Sequence, residues 1–332
     1  MLAFIVPVLG LYYGIQYIFL LHPSWLRHKK KTKLQLPAPP TKLKKYVHSH
    51  RAGGSYEKPE STLNAFKHSA QIGALVETDV QMTKDGVLVA FHDDDLIRTC
   101  GVDKKISETD YADLPQLRSP IPIWFSYGDQ YFFKPEDEGH SQIPSLTEVF
   151  EALPATTIIM LELKNAADQN ARKQLVELIK KHDRQSTTIV GTGQSAYNRL
   201  LSGLDENLPI FMPELKVIKY FLYYLVGILA YVKIEEDVAS LPYMSRQYAS
   251  AKWRQEKSVK TFFYIPITWI MSHLCDAMIV NFNERGIYTN YYVANEESDI
   301  KNAFKRSSIQ GVMTDKPSLA LEVLNKLSDE LK

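Results

Sequence analysis

Hydrophobic and polar positions follow two regimes along this chain. An apolar run occupies residues 2–21, broken only by Pro7, Gly10, Gly14 and Gln16, and as a helix it reaches ~30 Å, the thickness of a bilayer core. From residue 45 onward the pattern changes to short apolar runs of strand length. They fall at 45–50, 75–80, 87–92, 157–163, 187–191, 208–212, 277–281, 287–293 and 311–314. Amphipathic stretches of helical period separate several of them, such as 61–72, with Ser61 placed as an N-cap, and 168–182. Strand and helix alternating over 45–317 predict a (β/α)8 TIM barrel of ~250 residues with an apolar insertion at 216–276. An open doubly wound sheet is the alternative, but Gly191-Thr192-Gly193 lacks the third glycine of the dinucleotide fingerprint.

Charge placement divides the first 44 residues further. Residues 1–26 carry no Lys, Arg, Asp or Glu, whereas 27–45 carry eight basic residues, among them Arg27, Lys30, Lys31 and Lys33, and no acidic one. A signal peptide has its positive charge before the apolar region, so the order here predicts a retained transmembrane helix, residues 1–26. A basic linker, 27–44, stiffened by Pro37, Pro39 and Pro40, follows, and one domain fills 45–332. The positive-inside rule then sets that domain in the cytosol, and the endoplasmic reticulum is the membrane expected. In the insertion, 220–232 and 261–275 are too short to span. They predict a membrane-dipping surface carrying Tyr220, Phe221, Tyr223, Tyr224 and Tyr231, with buried barrel helices as the competing reading.

Composition mainly excludes. With 45% hydrophobic and 23% charged residues the chain is globular, and 39 basic against 38 acidic residues give no field that would draw nucleic acid. Two cysteines exclude a disulfide scaffold and a structural zinc site. Nothing in the pattern fixes an oligomeric state.

The candidate chemistry lies where strands end in ionisable residues. Glu77 and Asp79 are two apart, so on a strand they share one face, and Glu162 and Lys164 repeat the spacing. His50 and His92 end the first and third runs. A single charge at a strand end is ordinarily solvated. Together, in a parallel barrel, these positions all reach the C-terminal rim, where catalytic groups sit in this fold. Three neighbouring carboxylates are costly without a cation, and Glu77, Asp79 and Glu162 offer hard oxygens suited to Mg²⁺ or Ca²⁺.

His50-Arg51-Ala52-Gly53-Gly54, Pro59-Glu60-Ser61-Thr62, Glu77-Thr78-Asp79-Val80, Thr83-Lys84-Asp85-Gly86 and His92-Asp93 closely resemble the glycerophosphodiester phosphodiesterase family, and Glu162-Leu163-Lys164 and Gly311 through Pro317 resemble its later strands. The apolar N-terminus and insertion resemble its membrane-bound, lysophospholipase D branch. The resemblance implies that Glu77, Asp79 and Glu162 hold one divalent cation, that His50 and His92 are the acid and base, and that Arg51 and Lys164 bind the phosphate. The implied reaction cleaves a lysoglycerophospholipid to lysophosphatidic acid and a head-group alcohol. The alternatives are a water-soluble glycerophosphodiester giving glycerol 3-phosphate, and an inactive membrane-anchored scaffold. Two positions depart from the family: Ala52 stands where it has glycine, and Ser61 where it has asparagine. Alanine would be strained if that backbone needs φ > 0, with Gly53 and Gly54 able to take over, whereas Ser61 still caps a helix.

Elementary chemistry agrees with the resemblance. A phosphodiester resists attack until its charge is neutralised, a nucleophile is positioned and the leaving alkoxide is protonated. Two imidazoles can divide the last two tasks at neutral pH. An amidohydrolase-like barrel is the rival, from His48-Ser49-His50, but no histidine follows the runs at 187–191 and 208–212. His48 is then expected in the core, Asp93-Asp94-Asp95 as a solvated turn, and Asp315 as either a substrate contact or a cap.

Overall fold

The computed structural model describes residues 2–26, 28–30, 32–53, 55–124, 126, 129–132 and 141–331, so Arg27 and Lys31 of the basic stretch and Gly54 of the first motif lie outside the described residues. The strands are β1 (Tyr46–Ser49), β2 (Leu75–Met82), β3 (Leu88–Ala90), β4 (Ile121–Pro122), β5 (Gln130–Tyr131), β6 (Ile159–Leu163), β7 (Thr188–Gly191), β8 (Val238–Pro242), β9 (Tyr288–Tyr292) and β10 (Gly311–Thr314). The main sheet runs β7-β6-β2-β1-β10-β9-β8, every neighbouring pair parallel, with β3 antiparallel on β2. Single parallel bridges from Ile210 to Val190 and from Phe211 to Val238 link the two outer strands, so the sheet is a nearly closed barrel wrapped by helices. This is the TIM-barrel expectation. The first and last strands are neighbours, with Ser49 opposite Thr314, which brings residues 50 and 315 together at the C-terminal rim.

The barrel interior is filled by a cluster of side chains that includes Tyr46, Met160, Phe211, Tyr288 and Met313. His48 is buried among them, its Nε2 2.7 Å from the Tyr288 hydroxyl, and burial lowers its pKa to about 3, so it is the core histidine expected. Gly311 is required beside this pair, because a Cβ there would come within 2.3 Å of the Tyr288 hydroxyl.

Four sequence expectations need correction. The run 277–281 lies in a helix, Asp276–Glu284, since a five-residue apolar run has no period that tells strand from buried helix. The sixth barrel strand is instead β8, inside the supposed insertion, where Glu235, Glu236 and Asp237 precede it and Pro242 ends it and so disguise it. Residues 216–276 are therefore in part the wall of the barrel. The run 87–92 yields only the short antiparallel β3, outside the parallel ring. Finally, the helix at 63–71 is capped by Thr62, which accepts from Ala65 N–H at 3.3 Å, whereas Ser61 takes a left-handed φ of 57°.

The first residues are helical over Leu2–Leu21, and the apolar stretch Ile5–Leu21 is ~25 Å long. Among the described residues no single helix is long and apolar enough to cross a membrane, although Val259–Leu274 and Asp276–Glu284, bent by 68°, pass that test as a pair. The described residues of the basic stretch are no free tether. Leu34 is buried in the barrel-interior cluster, Gln35 N–H donates to Ser186 O, and Tyr46 Oη donates to Pro37 O. Lys30 Nζ lies 2.8 Å from Asp237, a carboxylate buried beneath β8, and Lys33 Nζ lies 3.6 Å away. Exposed pairs contribute little, but removing one partner of a buried carboxylate leaves a charge without compensation. Lys30→Ala is therefore expected to cost about 2 kcal/mol, partly offset by Lys33. Chemical denaturation checks this; an unchanged midpoint would show the basic stretch to be only tethered.

Candidate active site

The site grows from the alternation in β2. Glu77 and Asp79 project from the same face, and Asp79 stands opposite Glu162 in the parallel register of β2 and β6. One residue beyond β6, the Lys164 amide donates to Val80 O, and its ammonium lies 2.7 Å from Asp79 Oδ1 and 3.2 Å from Glu162 Oε1. Burial raises the pKa of both glutamates, and the Asp79 charge raises Glu77 further. At Asp79, burial is outweighed by Lys164 and the carboxyl is held low. Lys164 is pushed up in turn by Asp79 and Glu162, against its own burial. The pocket thus holds more negative charge than its own lysine offsets. That excess and the all-oxygen donor set fit a hard divalent cation. The carboxylates are not drawn into a ready-made ligand cluster among the described residues.

Each histidine has its own carboxylate. His50 Nδ1 is 2.6 Å from Asp315 Oδ1, and its Nε2 is 3.9 Å from Glu77 Oε2. Burial alone would lower the His50 pKa, but the Asp315 charge and hydrogen bond, aided by Glu77, raise it. Beyond β3, Phe91 N–H donates to Asp79 O, which fixes His92 at the rim with its Nδ1 2.6 Å from Asp93 Oδ1. In both cases Nδ1–H donates to the carboxylate, which leaves Nε2 for chemistry.

The loop after β1 is strained where function needs it. Arg51 and Ala52 have φ of 51° and 66°, and the Arg51 amide donates to Glu77 Oε2 at 3.0 Å. Ala52 therefore does occupy a left-handed position. Gly53 does not take that role; it is needed for close approach, since a Cβ there would lie 2.5 Å from that of Ala65. The Arg51 guanidinium is buried against Glu60 at 3.0 Å, and Glu60 also receives both terminal nitrogens of Arg98. Arg98 Nε donates to Asp93 Oδ2 at 2.6 Å, so one half-buried arginine ties the two histidine loops together.

His50, Glu77, Asp79, His92, Glu162 and Lys164 line one cavity of 410 Å³, so six of the seven expected residues meet there. Arg51 does not line it. Sequence reasoning missed Asp93 and Asp315 as partners of the histidines. Asp93 is no solvated turn residue, and Asp315 becomes visible only when closing the barrel sets its strand beside the first. It also missed the opposite wall, where Glu214, Tyr248, Tyr264 and Tyr292 come from the supposed insertion and from β9.

Comparison with known proteins sets this geometry in context. The family model described as "Glycerophosphoryl diester phosphodiesterase family" matches residues 50–319. The chain is 30% identical to Lysophospholipase D GDPD1 of Homo sapiens, over 98% of each chain, and 30% identical to Lysophospholipase D GDPD3 of Mus musculus, over 99% of this chain and 94% of that one. In fold it is similar to a putative glycerophosphoryl diester phosphodiesterase of Silicibacter pomeroyi, with a TM-score of 0.61 at 17% identity over 87% of this chain and 95% of that one. It is also similar to a phosphodiesterase of Oleispira antarctica in complex with its product sn-glycerol-3-phosphate, with a TM-score of 0.58 at 20% identity over 84% and 96%.

Proposed function

Because the chain belongs to the glycerophosphoryl diester phosphodiesterase family and is a phosphoric diester hydrolase, we propose that it hydrolyses lysoglycerophospholipids, releasing lysophosphatidic acid and the head-group alcohol. What carries the reading is the gathering of two carboxylate-held histidines, three further carboxylates and a lysine around one cavity. In this reading Glu77, Asp79 and Glu162 hold Mg²⁺ or Ca²⁺, which when bound withdraws charge from the phosphoryl oxygens. Lys164 neutralises a further oxygen. Arg51 orients Glu77 through its amide, while its guanidinium is held on Glu60 away from the cavity, so the phosphate contact expected of it falls to Lys164 and the cation. One imidazole Nε2 takes a proton from water or a substrate hydroxyl while the other protonates the departing alkoxide.

A lipid rather than a soluble substrate is favoured by the surface beside the cavity. Tyr264 and Lys260 of helix Val259–Leu274 line the cavity, while Phe262, Phe263, Ile267, Trp269 and Ile270 of the same helix are exposed. In helix Glu214–Leu225, Tyr220 and Phe221 are core residues, which corrects their expected interfacial role, but Leu222 and Leu225 are exposed. Such a patch beside the cavity suits a bilayer surface. With the exposed side chains of Ile5–Leu21 it would hold the protein on a membrane.

The test is purified full-length protein assayed side by side on lysophosphatidylcholine and glycerophosphocholine. Phe262→Glu with Phe263→Glu is expected to lower vesicle binding and lysophospholipid turnover about tenfold, leaving glycerophosphocholine turnover within about twofold. The product named for the Oleispira antarctica protein makes the soluble substrate the second reading, and preference for glycerophosphocholine would establish it. Inactivity on both would leave a scaffold.

A further inference from the structure

The cavity has two walls of different chemistry. One carries the histidines, the carboxylates and Lys164. The other, built from residues after the Ile210–Phe211 bridge, from the end of β9 and from helices Arg246–Gln255 and Val259–Leu274, carries Glu214, Tyr248, Tyr264, Tyr292, Lys252 and Lys260.

On that second wall Glu214 is held in an unusual way. The Tyr264 and Tyr292 hydroxyls both donate to its Oε1. Burial, with the nearby Glu214 charge, pushes both phenols far up, so they stay protonated donors. Two neutral donors orient a carboxylate without cancelling its charge. No lysine or arginine nitrogen comes within ion-pair distance of Glu214 among the described residues, and its Oε2 accepts no hydrogen bond among them. Lys252 is paired with Glu256 at 3.4 Å, and Lys260 is exposed at the edge. The aromatic surface beside Glu214 already receives an ammonium, since Lys252 Nζ lies 5.0 Å from the Tyr264 ring centroid.

A preorganised anionic oxygen among tyrosine rings is the chemistry that recognises a cationic nitrogen. In a phospholipid that carries such a nitrogen, it lies two carbons from the phosphodiester oxygen, and the two walls line one and the same cavity. We propose that Glu214, with the rings of Tyr248, Tyr264 and Tyr292, forms a subsite for the cationic head group, choline or ethanolamine, of the diester being cleaved. The proposal rests on the phosphodiesterase reading above and adds head-group selection to it. Glu214 is a specificity-determining residue that takes no part in proton transfer.

The experiment compares lysophosphatidylcholine with lysophosphatidylglycerol of the same acyl chain, using full-length protein and E214Q. Wild type is expected to favour the choline substrate, and E214Q to lower the ratio of the two kcat/KM values about tenfold, mainly through KM. Y264F keeps the ring but loses one donor to Glu214, and should lower the ratio by a smaller factor. Should E214Q fail to fold, inhibition of the wild type decides: choline should inhibit competitively at concentrations where its uncharged isostere 3,3-dimethylbutanol does not. An unchanged ratio in E214Q, equal losses on both substrates, or equal inhibition by choline and its isostere would overturn the subsite and assign Glu214 to bracing the tyrosines. A wild type active on neither substrate would overturn the phosphodiesterase reading itself, a different outcome from activity without head-group preference.

Discussion

Replacing Asp79 by alanine is expected to lower phosphodiester hydrolysis by about 10³-fold. Asp79 stands between two elements of the site. It pairs with Lys164 at 2.7 Å and faces Glu162 across the β2–β6 register, so its loss disturbs both the lysine and the proposed cation site. Glu77→Ala and Glu162→Ala should cost a similar factor, because each removes an oxygen from the same proposed ion. The double variant should then lose little more than either single one, since one ion is lost only once. Chelation should reproduce the loss in the wild type and leave the Asp79 variant's residual rate unchanged, with Mg²⁺ or Ca²⁺ restoring the former. Full activity in chelator would remove the metal from the account and leave Lys164 with the charge neutralisation alone. A fold check belongs with it, because Asp79 is buried and its removal leaves the Lys164 ammonium with only Glu162.

His50→Ala and His92→Ala should each lower turnover by at least ~10² with folding intact, because general acid and base contributions act in the transition state. Their partners allow a finer test. Asp315 raises the His50 pKa, so Asp315→Asn removes that influence and lets burial pull the imidazole down. Whichever role His50 plays, the limb of the pH–rate profile that belongs to it must then move to lower pH. If His50 is the base, the acidic limb moves; if it is the acid, the alkaline limb moves, and the direction of its travel is the same. The variant thereby also assigns the roles of the two histidines. A profile that keeps both limbs in place would show that His50 does not titrate in the reaction. His48→Ala serves as the contrast: its ring is buried against Tyr288 with its pKa pushed down to about 3, so its loss should appear in stability, not in the profile.

Much of the site was legible in one dimension because strands convert sequence spacing into facing. Glu77 and Asp79 at two-residue spacing had to share a face, and parallel neighbours in a barrel had to bring strand ends to one rim. Hence His50, Glu77, Asp79, His92, Glu162 and Lys164 could be named before any coordinates, and they meet in one cavity. Periodicity failed where a run was too short to carry a period, as at 277–281, or where charge and proline masked a strand, as at β8. It also misplaced the helix cap, since Ser61 and Thr62 are both good caps and only the left-handed turn at Ser61 selects Thr62.

By itself the sequence determined the barrel class, the polar set on its first three catalytic strands, and the presence of apolar surface beyond what a core needs. These follow from local periodicity and from residue chemistry, which do not depend on distant neighbours. Tertiary structure alone decided what each group is paired with. Asp315 meets His50 because barrel closure joins β1 to β10 across 265 residues. The Arg51 guanidinium turns away from the cavity because Glu60, shared with Arg98, holds it in the core. Lys30 and Leu34 belong to the base of the barrel because Asp237 and the barrel interior receive them. Glu214 lies opposite the histidines because β8 and two helices from the supposed insertion complete the wall. Pairing energies in a buried site depend on distances of a few ångströms between residues far apart in the chain, and linear spacing carries no such distance.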